Sequence, residues 1–144
     1  MTAVLTPPRQ HDSVEASFTP ARIPLVDLAG IAGLGAIIAI HTSELSGKVA
    51  ETAYLGFGYV LLIAASIVSI VLLAQRDRRG WSSGGATALA TLVGFVLTRT
   101  TGLPGAHGDV GNWGETIAVW SLGAEIFVVA LATFALTIGD RNQA

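Results

Sequence analysis

The feature that most constrains this chain is an apolar run from Thr52 to Ala74 that contains no charged side chain. It reaches the roughly 20 residues that a helix needs to cross a bilayer. The whole chain is 51% hydrophobic and only 12% charged, and its mean hydropathy is +0.63, whereas a soluble domain carries about 25% charged residues. The chain is therefore predicted to be an integral membrane protein.

Three further apolar segments are long enough to span a bilayer, so the predicted fold is an all-α membrane protein, a four-helix transmembrane bundle. The predicted spans are about 23–43, 52–74, 82–101 and 112–138. Ser82 or Ser83 can cap the start of the third span. Asn112 and Glu115 have the spacing of a capping box at the start of the fourth.

The ends of the chain are polar. Residues 1–22 are rich in proline, which fixes φ and lacks an amide donor, and we predict a disordered cytoplasmic tail there. A signal peptide is the alternative, although Asp12 and Glu15 do not fit its basic first region. Residues 139–144 are predicted to form a second cytoplasmic tail.

Basic residues predict the orientation, because they accumulate in the cytoplasmic loops of membrane proteins. Six of the eight lie on one side of the predicted spans and two on the other. The six are Arg9, Arg22, Arg76, Arg78, Arg79 and Arg141, and the two are Lys48 and Arg99. Both termini are therefore predicted to lie in the cytoplasm.

Composition also narrows the chemistry. The absence of cysteine excludes disulfides, thiolate metal sites and thioether-linked haem. A net charge of −2 gives no argument for a nucleic-acid partner. The expected partners are the lipid bilayer and either further copies of the chain, as a homo-oligomer, or the subunits of a larger membrane complex. No cofactor is expected. The chain is not expected to be an enzyme, because no set of nucleophile, base and orienting group can be assembled from its residues.

Glu125 is the most unusual residue, because it lies inside the fourth span. It follows Glu115 by ten positions, which places it about 15 Å deeper along a helix, near the bilayer centre. An ionised carboxylate there costs at least about 2.5–3.5 kcal/mol, so the group must be protonated, paired or hydrated. It is interpreted either as a packing latch held by Arg99, Tyr59 or a threonine, or as a carboxyl that titrates or binds a ligand.

Other polar side chains lie at a similar depth or nearer the side of the membrane that is predicted to face away from the cytoplasm. The predicted ligand or proton site consists of Glu125, Arg99, Tyr59, Thr91, His41 and Glu44. His41 and Glu44 are three positions apart and share a helical face. A divalent metal such as zinc is a further hypothesis, with His41, His107 and Asp109 as candidates, although no recognised ligand spacing joins them. Solvated charges and caps explain the same residues, with Glu44 paired to Lys48 at i,i+4.

The connection before the last span has glycine at every third position, from Gly102 to Gly114. Glycine permits positive φ and close backbone approach, so this loop can fold back over the mouth of the bundle and lay Trp113 on it as a lid. A plain connector rich in turns is the alternative.

Several motifs occur together along the chain. His41 and Glu44 follow the first span, and after them come AYLG (53–56), RRGW (78–81), LTRTTGLPG (97–105), NWGE (112–115) and the glutamate of the last span. This combination resembles a group of small bacterial four-helix membrane proteins with an RTxGLPG motif, over about residues 25–138. The resemblance implies four spans with cytoplasmic termini in the bacterial inner membrane. It assigns no catalytic residue, because the group has no established activity.

Two classes of function follow. Small size, glycine-rich helix faces and the lack of a catalytic motif favour a non-enzymatic structural or accessory subunit of a membrane assembly. The alternative is a small transport or binding protein with an outer-facing polar pocket built on Glu125, Arg99 and His41.

Overall fold

The structure is a computed structural model that describes the backbone of residues 24–141 and the side chains of residues 24–138. Its helices are α1 (Leu25–Glu51), α2 (Ala53–Ala74), α3 (Arg79–Thr100) and α4 (Thr116–Arg141). All four are long and apolar enough to cross a membrane, and the described residues contain no β-strand. The predicted all-α four-helix bundle is confirmed. The predicted tail at 1–22 lies outside the described residues.

The helices run up and down, and each packs against its neighbours in the chain, with α4 closing the ring against α1. Across the bundle, α1 barely touches α3. This connectivity places the α1–α2 junction and residues 101–115 together at one end, called here the loop end. The start of α1, residues 75–78 and the end of α4 lie at the other, the turn end.

Apolar side chains fill the half of the bundle near the turn end. The buried core consists of Leu34, Ile37, Leu73, Trp81, Ala88, Val128 and Ala132. Trp81 enters it from α3, and its Nε1 donates a 2.9 Å hydrogen bond to Asp27 of α1. A Cβ at Gly30 would lie 2.5 Å from the indole, so glycine is required for this close approach. Trp81 therefore closes the turn end.

The first helix is longer than predicted, because it continues past residue 43 to Glu51. Residues 44–51 contain no proline, and His41, Glu44 and Lys48 keep one face turned toward the bundle, which favours continuation of the helix. The helix ends at Thr52, whose φ and ψ of −153° and 142° are extended. A single residue therefore joins α1 to α2.

The third helix begins at Arg79, earlier than predicted. The carboxylate of Asp77 accepts a 2.9 Å hydrogen bond from the amide of Arg79 and so satisfies a donor at the start of the helix. Ser82 and Ser83 lie inside the helix and do not cap it. Instead, the hydroxyl of Ser83 lies 2.8 Å from that of Ser69 and links α3 to α2.

The fourth helix begins at Thr116, later than predicted, and residues 112–115 are not helical. The predicted capping box of Asn112 and Glu115 is wrong. The carboxylate of Glu115 accepts a 3.0 Å hydrogen bond from the guanidinium of Arg99 instead. The ion pair with α3 thus replaces the local cap.

Candidate functional site

A cavity of ≈ 510 Å³ lies in the half of the bundle near the loop end, and side chains from all four helices line it. Its polar lining includes His41, Glu44, Lys48, Tyr59, Thr91, Arg99, Asp109, Glu115, Ser121 and Glu125. All six residues of the predicted ligand or proton site therefore lie around one cavity. Helical spacing accounts for this, because each residue lies on the polar face of its own span.

Glu125 lies at the base of the cavity, about 14 Å below the start of α4 by the helical rise. Its exposed fraction is 0%. The hydroxyl of Ser121, one turn earlier, donates a 2.8 Å hydrogen bond to Oε1, while Oε2 has no hydrogen-bond partner among the described residues. The predicted latch to Arg99, Tyr59 or a threonine is wrong, since Ser121 supplies the hydrogen bond and Arg99 binds other carboxylates.

His41 is the neighbour of Glu125 on α1. Its Nδ1 lies 2.8 Å from the backbone carbonyl oxygen of Ile37. Because a carbonyl oxygen only accepts, Nδ1 carries the proton and the neutral ring presents a lone pair on Nε2. Nε2 lies 4.0 Å from Oε1 of Glu125, and the ring is tilted against that of Tyr59 with centroids 4.9 Å apart. The imidazole thus offers a proton acceptor beside the buried carboxyl.

Above these residues, an ion-pair network crosses the mouth of the cavity. Arg99, which is only 7% exposed, pairs with Asp109 and Glu115, each at 3.0 Å. Lys48 of α1 pairs with the same Asp109 at 2.7 Å and with Glu51 at 3.0 Å. The network therefore ties α1, α3 and the long loop together, and it occupies both basic groups of the mouth.

Asp109 lies on the long loop, outside the membrane-spanning helices. Its partial burial favours the neutral acid, but the hydrogen bond and charge of Lys48, together with Arg99, outweigh this and hold the pKa of Asp109 below its ordinary value. The carboxylate is therefore ionised at neutral pH.

Glu44 lies beside this network and lines the cavity without joining an ion pair in the described part of the chain. The predicted i,i+4 pair between Glu44 and Lys48 is wrong, because the ammonium group of Lys48 bonds to Asp109 and Glu51. The sequence gives no sign of the Lys48–Asp109 pair, whose members are 61 positions apart.

The glycine-spaced loop folds back onto the mouth. Gly102 has a φ of 72°, which turns the chain at the end of α3. Tyr54 of α2 donates a 2.8 Å hydrogen bond to the carbonyl of Pro104, and Leu103 lines the cavity. Trp113 packs edge-on against Phe95 with centroids 6.0 Å apart but does not line the cavity itself. The part of the loop that covers the mouth therefore includes Leu103 and Asp109 but not Trp113.

Within residues 24–138, no group of three or more His, Asp or Glu side chains is placed to hold a metal ion. The structure does not bring the metal candidates His41, His107 and Asp109 to a common site. His41 lies deep beside Glu125, Asp109 is bound by Lys48 and Arg99, and His107 lies exposed on the loop.

No family model, curated protein or solved structure matches this chain.

Proposed function

We propose that this protein is a small binding or transport protein of the membrane that takes up a ligand in the cavity above Glu125. The observation that carries the proposal is the carboxyl at the base, which is fully buried, lines the cavity and has no hydrogen-bond partner for Oε2 among the described residues. The volume of ≈ 510 Å³ lies within the roughly 300–1,000 Å³ of sites for small molecules.

A purely structural role fits Glu125 less well. A buried polar atom without a hydrogen bond costs about 1–3 kcal/mol, and a packing latch would satisfy both oxygens of the carboxyl. Here Ser121 is the one donor among the described residues that reaches the carboxyl, and Glu125 lines a cavity. A ligand with a donor group would satisfy the other oxygen.

We infer that the ligand enters from the side opposite the cytoplasm. The positive-inside rule supports both termini in the cytoplasm of a bacterial inner membrane, which directs the loop end outward. The apolar core around Trp81 blocks the turn end, so the cavity has its mouth on the loop side. Transport would need a second opening, and a unit of four helices would achieve this most readily as a homo-oligomer.

The accessory-subunit role remains a second proposal. An apolar groove of ≈ 730 Å³ between α1 and α4 supports it. Small residues form part of its floor, including Ala32, Gly33 and Ala36, and Trp120 beside it is 71% exposed. Such a surface suits the close approach of another helix.

Two glycine substitutions test the binding role. Gly94 lines the cavity and Gly123 does not, and a Cβ at either position meets nothing within 4 Å. We therefore expect Gly94→Leu to fold but to reduce the cavity, while Gly123→Leu leaves it unchanged. The measurement is native mass spectrometry of the protein extracted gently from its own membrane.

A bound small mass that is lost in Gly94→Leu and kept in Gly123→Leu is the expected result. A bare wild-type protein, or equal retention of the mass in both variants, would overturn the binding role. A stable complex with other subunits and no small mass would favour the accessory role.

A further inference from the structure

The charges around the cavity are unbalanced in a way that specifies a ligand class. Four carboxyl groups line it, those of Glu44, Asp109, Glu115 and Glu125, against two strong bases, Lys48 and Arg99. Both bases are already bound to carboxylates of the mouth, Asp109 and Glu115 among them. Glu44 and Glu125 are left facing the cavity without a cationic partner among the described residues.

This surplus disfavours an anionic ligand. Nη1 and Nη2 of Arg99 are each bonded to a carboxylate, and so is Nζ of Lys48. The remaining donor of Arg99, Nε, is buried and has no hydrogen-bond partner among the described residues, but an anion bound there would face the carboxylates of Asp109 and Glu115, and like charges repel strongly in a poorly solvated cavity.

An organic ammonium ion fits the same surroundings. Its N–H groups are donors, and Oε2 of Glu125, which is buried and has no hydrogen-bond partner among the described residues, becomes an acceptor once the carboxyl is ionised. The ring of Tyr59 lines the cavity beside His41, with ring centroids 4.9 Å apart, and an aromatic ring attracts a cation. The walls between the polar groups are apolar, formed by Leu55, Leu62 and Phe95 among others, and they suit a hydrocarbon chain.

We propose that the cavity binds an amphiphilic organic cation, whose ammonium group takes the place of the proton on Glu125. The proposal rests on the binding role inferred above. Before the cation arrives, the carboxyl keeps its proton, because an ionised carboxylate without a counter-charge is costly at this depth. On binding, the O–H bond of Glu125 breaks, the carboxylate pairs with the ammonium, and one proton leaves to bulk water.

His41 is placed to carry that proton out of the site. Its Nε2 lone pair lies 4.0 Å from Oε1 of Glu125, which is too long for a direct hydrogen bond and suits transfer through one water molecule. The other titratable groups that line the cavity are Glu44 and Lys48 of α1, Tyr54 and Tyr59 of α2, Arg99 of α3, Asp109 of the loop and Glu115 before α4. Of these, Glu44 adds a second carboxylate to the cation's path.

Three ligands with one alkyl chain test the assignment. Hexylammonium, hexanol and hexanoate share a six-carbon chain and carry a cationic, a neutral and an anionic head group, respectively. Their binding to the full chain in detergent is measured by calorimetry between pH 6 and pH 8. We expect hexylammonium alone to bind, with an affinity that rises up to about tenfold per pH unit and with the release of up to one proton per cation.

Substitutions test whether Glu125 is the residue that exchanges its proton for the cation. Glu125→Gln keeps the shape of the side chain, and we expect it to bind hexylammonium at least about tenfold more weakly and without pH dependence. Asp77→Asn is the matched control, since Asp77 is a carboxylate of the turn end that does not line the cavity, and asparagine keeps the oxygen that accepts the hydrogen bond from the amide of Arg79. This variant should retain both properties. If Glu125→Gln does not fold, two other measurements decide the question. The unmodified protein should release a proton when it binds hexylammonium, and the Glu44→Gln variant should bind hexylammonium more weakly.

The outcomes separate the two proposals. Equal binding of hexanol or hexanoate would overturn the cation assignment and leave the binding role intact. Hexylammonium binding that Glu125→Gln does not change, or that releases no proton, would overturn the exchange at Glu125. If none of the three ligands binds, the cation assignment fails, and the mass-spectrometric comparison of Gly94→Leu with Gly123→Leu then decides the binding role independently.

Discussion

Replacing Arg99 by methionine tests the ion-pair network at the mouth of the cavity. Methionine keeps much of the length of the side chain and removes the guanidinium. Two hydrogen bonds and one ion pair disappear with it: the hydrogen bonds to the backbone carbonyl of Asp109 and to Glu115, and the ion pair with the carboxylate of Asp109. All three join the end of α3 to the loop, so their loss should destabilise this end of the bundle.

The magnitude follows from the exposure of the partners. A hydrogen bond to a buried charged group contributes about 1.5–3 kcal/mol. Here the side chains of Asp109 and Glu115 are 27% and 41% exposed, so each ion pair is nearer the value of about 1 kcal/mol for solvated pairs. Asp109 also keeps Lys48 in the variant. We expect Arg99→Met to lower the free energy of unfolding by about 2 kcal/mol.

Double-mutant cycles measured by unfolding in mixed detergent micelles make this prediction specific. Arg99→Met combined with Glu115→Gln should show a coupling energy of about 1 kcal/mol, because the pair is in direct contact. Arg99→Met combined with Glu125→Gln should be additive within about 0.5 kcal/mol. A stronger coupling of Arg99 to Glu125 than to Glu115 would refute the network described here and restore a latch in the middle of the membrane.

Three further predictions follow from other parts of the bundle. The pKa of Asp109 is lowered in the folded protein, so the stability that this carboxylate contributes is complete above its ordinary pKa of 3.8 and is lost as the pH falls through the lower folded-state value. Melting scans should show this loss in the unmodified protein and not in Asp109→Asn. Gly30→Leu should destabilise the protein by about 2 kcal/mol or more, because the new side chain overlaps the buried indole, whereas Gly35→Leu, with nothing within 4 Å of its Cβ, should unfold like the unmodified chain. Because the chain lacks cysteine, Gly108→Cys and Gln75→Cys each provide a single label site, and an impermeant maleimide should reach Gly108→Cys from outside intact cells but Gln75→Cys only after permeabilisation.

Each of these three has an outcome that contradicts it. A pH profile that Asp109→Asn leaves unchanged would remove the network from the acid response. Equal stability of the two glycine variants would mean that the turn end is not closely packed. Labelling of Gln75→Cys in intact cells would reverse the orientation and direct the cavity to the cytoplasm.

The sequence predicted the bundle and the membership of the cavity for different physical reasons. A span is recognisable because lipid requires a long apolar segment, and that requirement acts on each segment by itself. The six site residues were found because polar side chains in lipid turn toward the other helices, so depth and helical face place Glu125, Tyr59 and Thr91 together. Both properties are local.

The errors concern properties that are not local. The partners of Arg99 come from the loop, which brings Asp109 and Glu115 to the end of α3, and no spacing in the sequence encodes that fold-back. The same contact removed Glu115 from the capping box. The continuation of α1 to Glu51 was missed because apolarity marks where the membrane ends and not where a helix ends. Ser121, in contrast, was within reach of prediction, since it precedes Glu125 by one helical turn.

The division of the bundle into two halves explains how so small a protein holds a carboxyl in the membrane. The turn half is held by apolar packing and by the hydrogen bond between Trp81 and Asp27, and neither of these contacts involves Glu125. The loop half leaves space around Glu125, and Lys48 and Arg99 both belong to the mouth rather than to the base. If either base bonded to Glu125, the carboxyl would be permanently ionised and could not exchange a proton for a cation. The network at the mouth therefore does more than fasten the loop. Because it holds Lys48 and Arg99 at the mouth, the carboxyl of Glu125 at the bottom of the cavity is left without a cationic partner among the described residues.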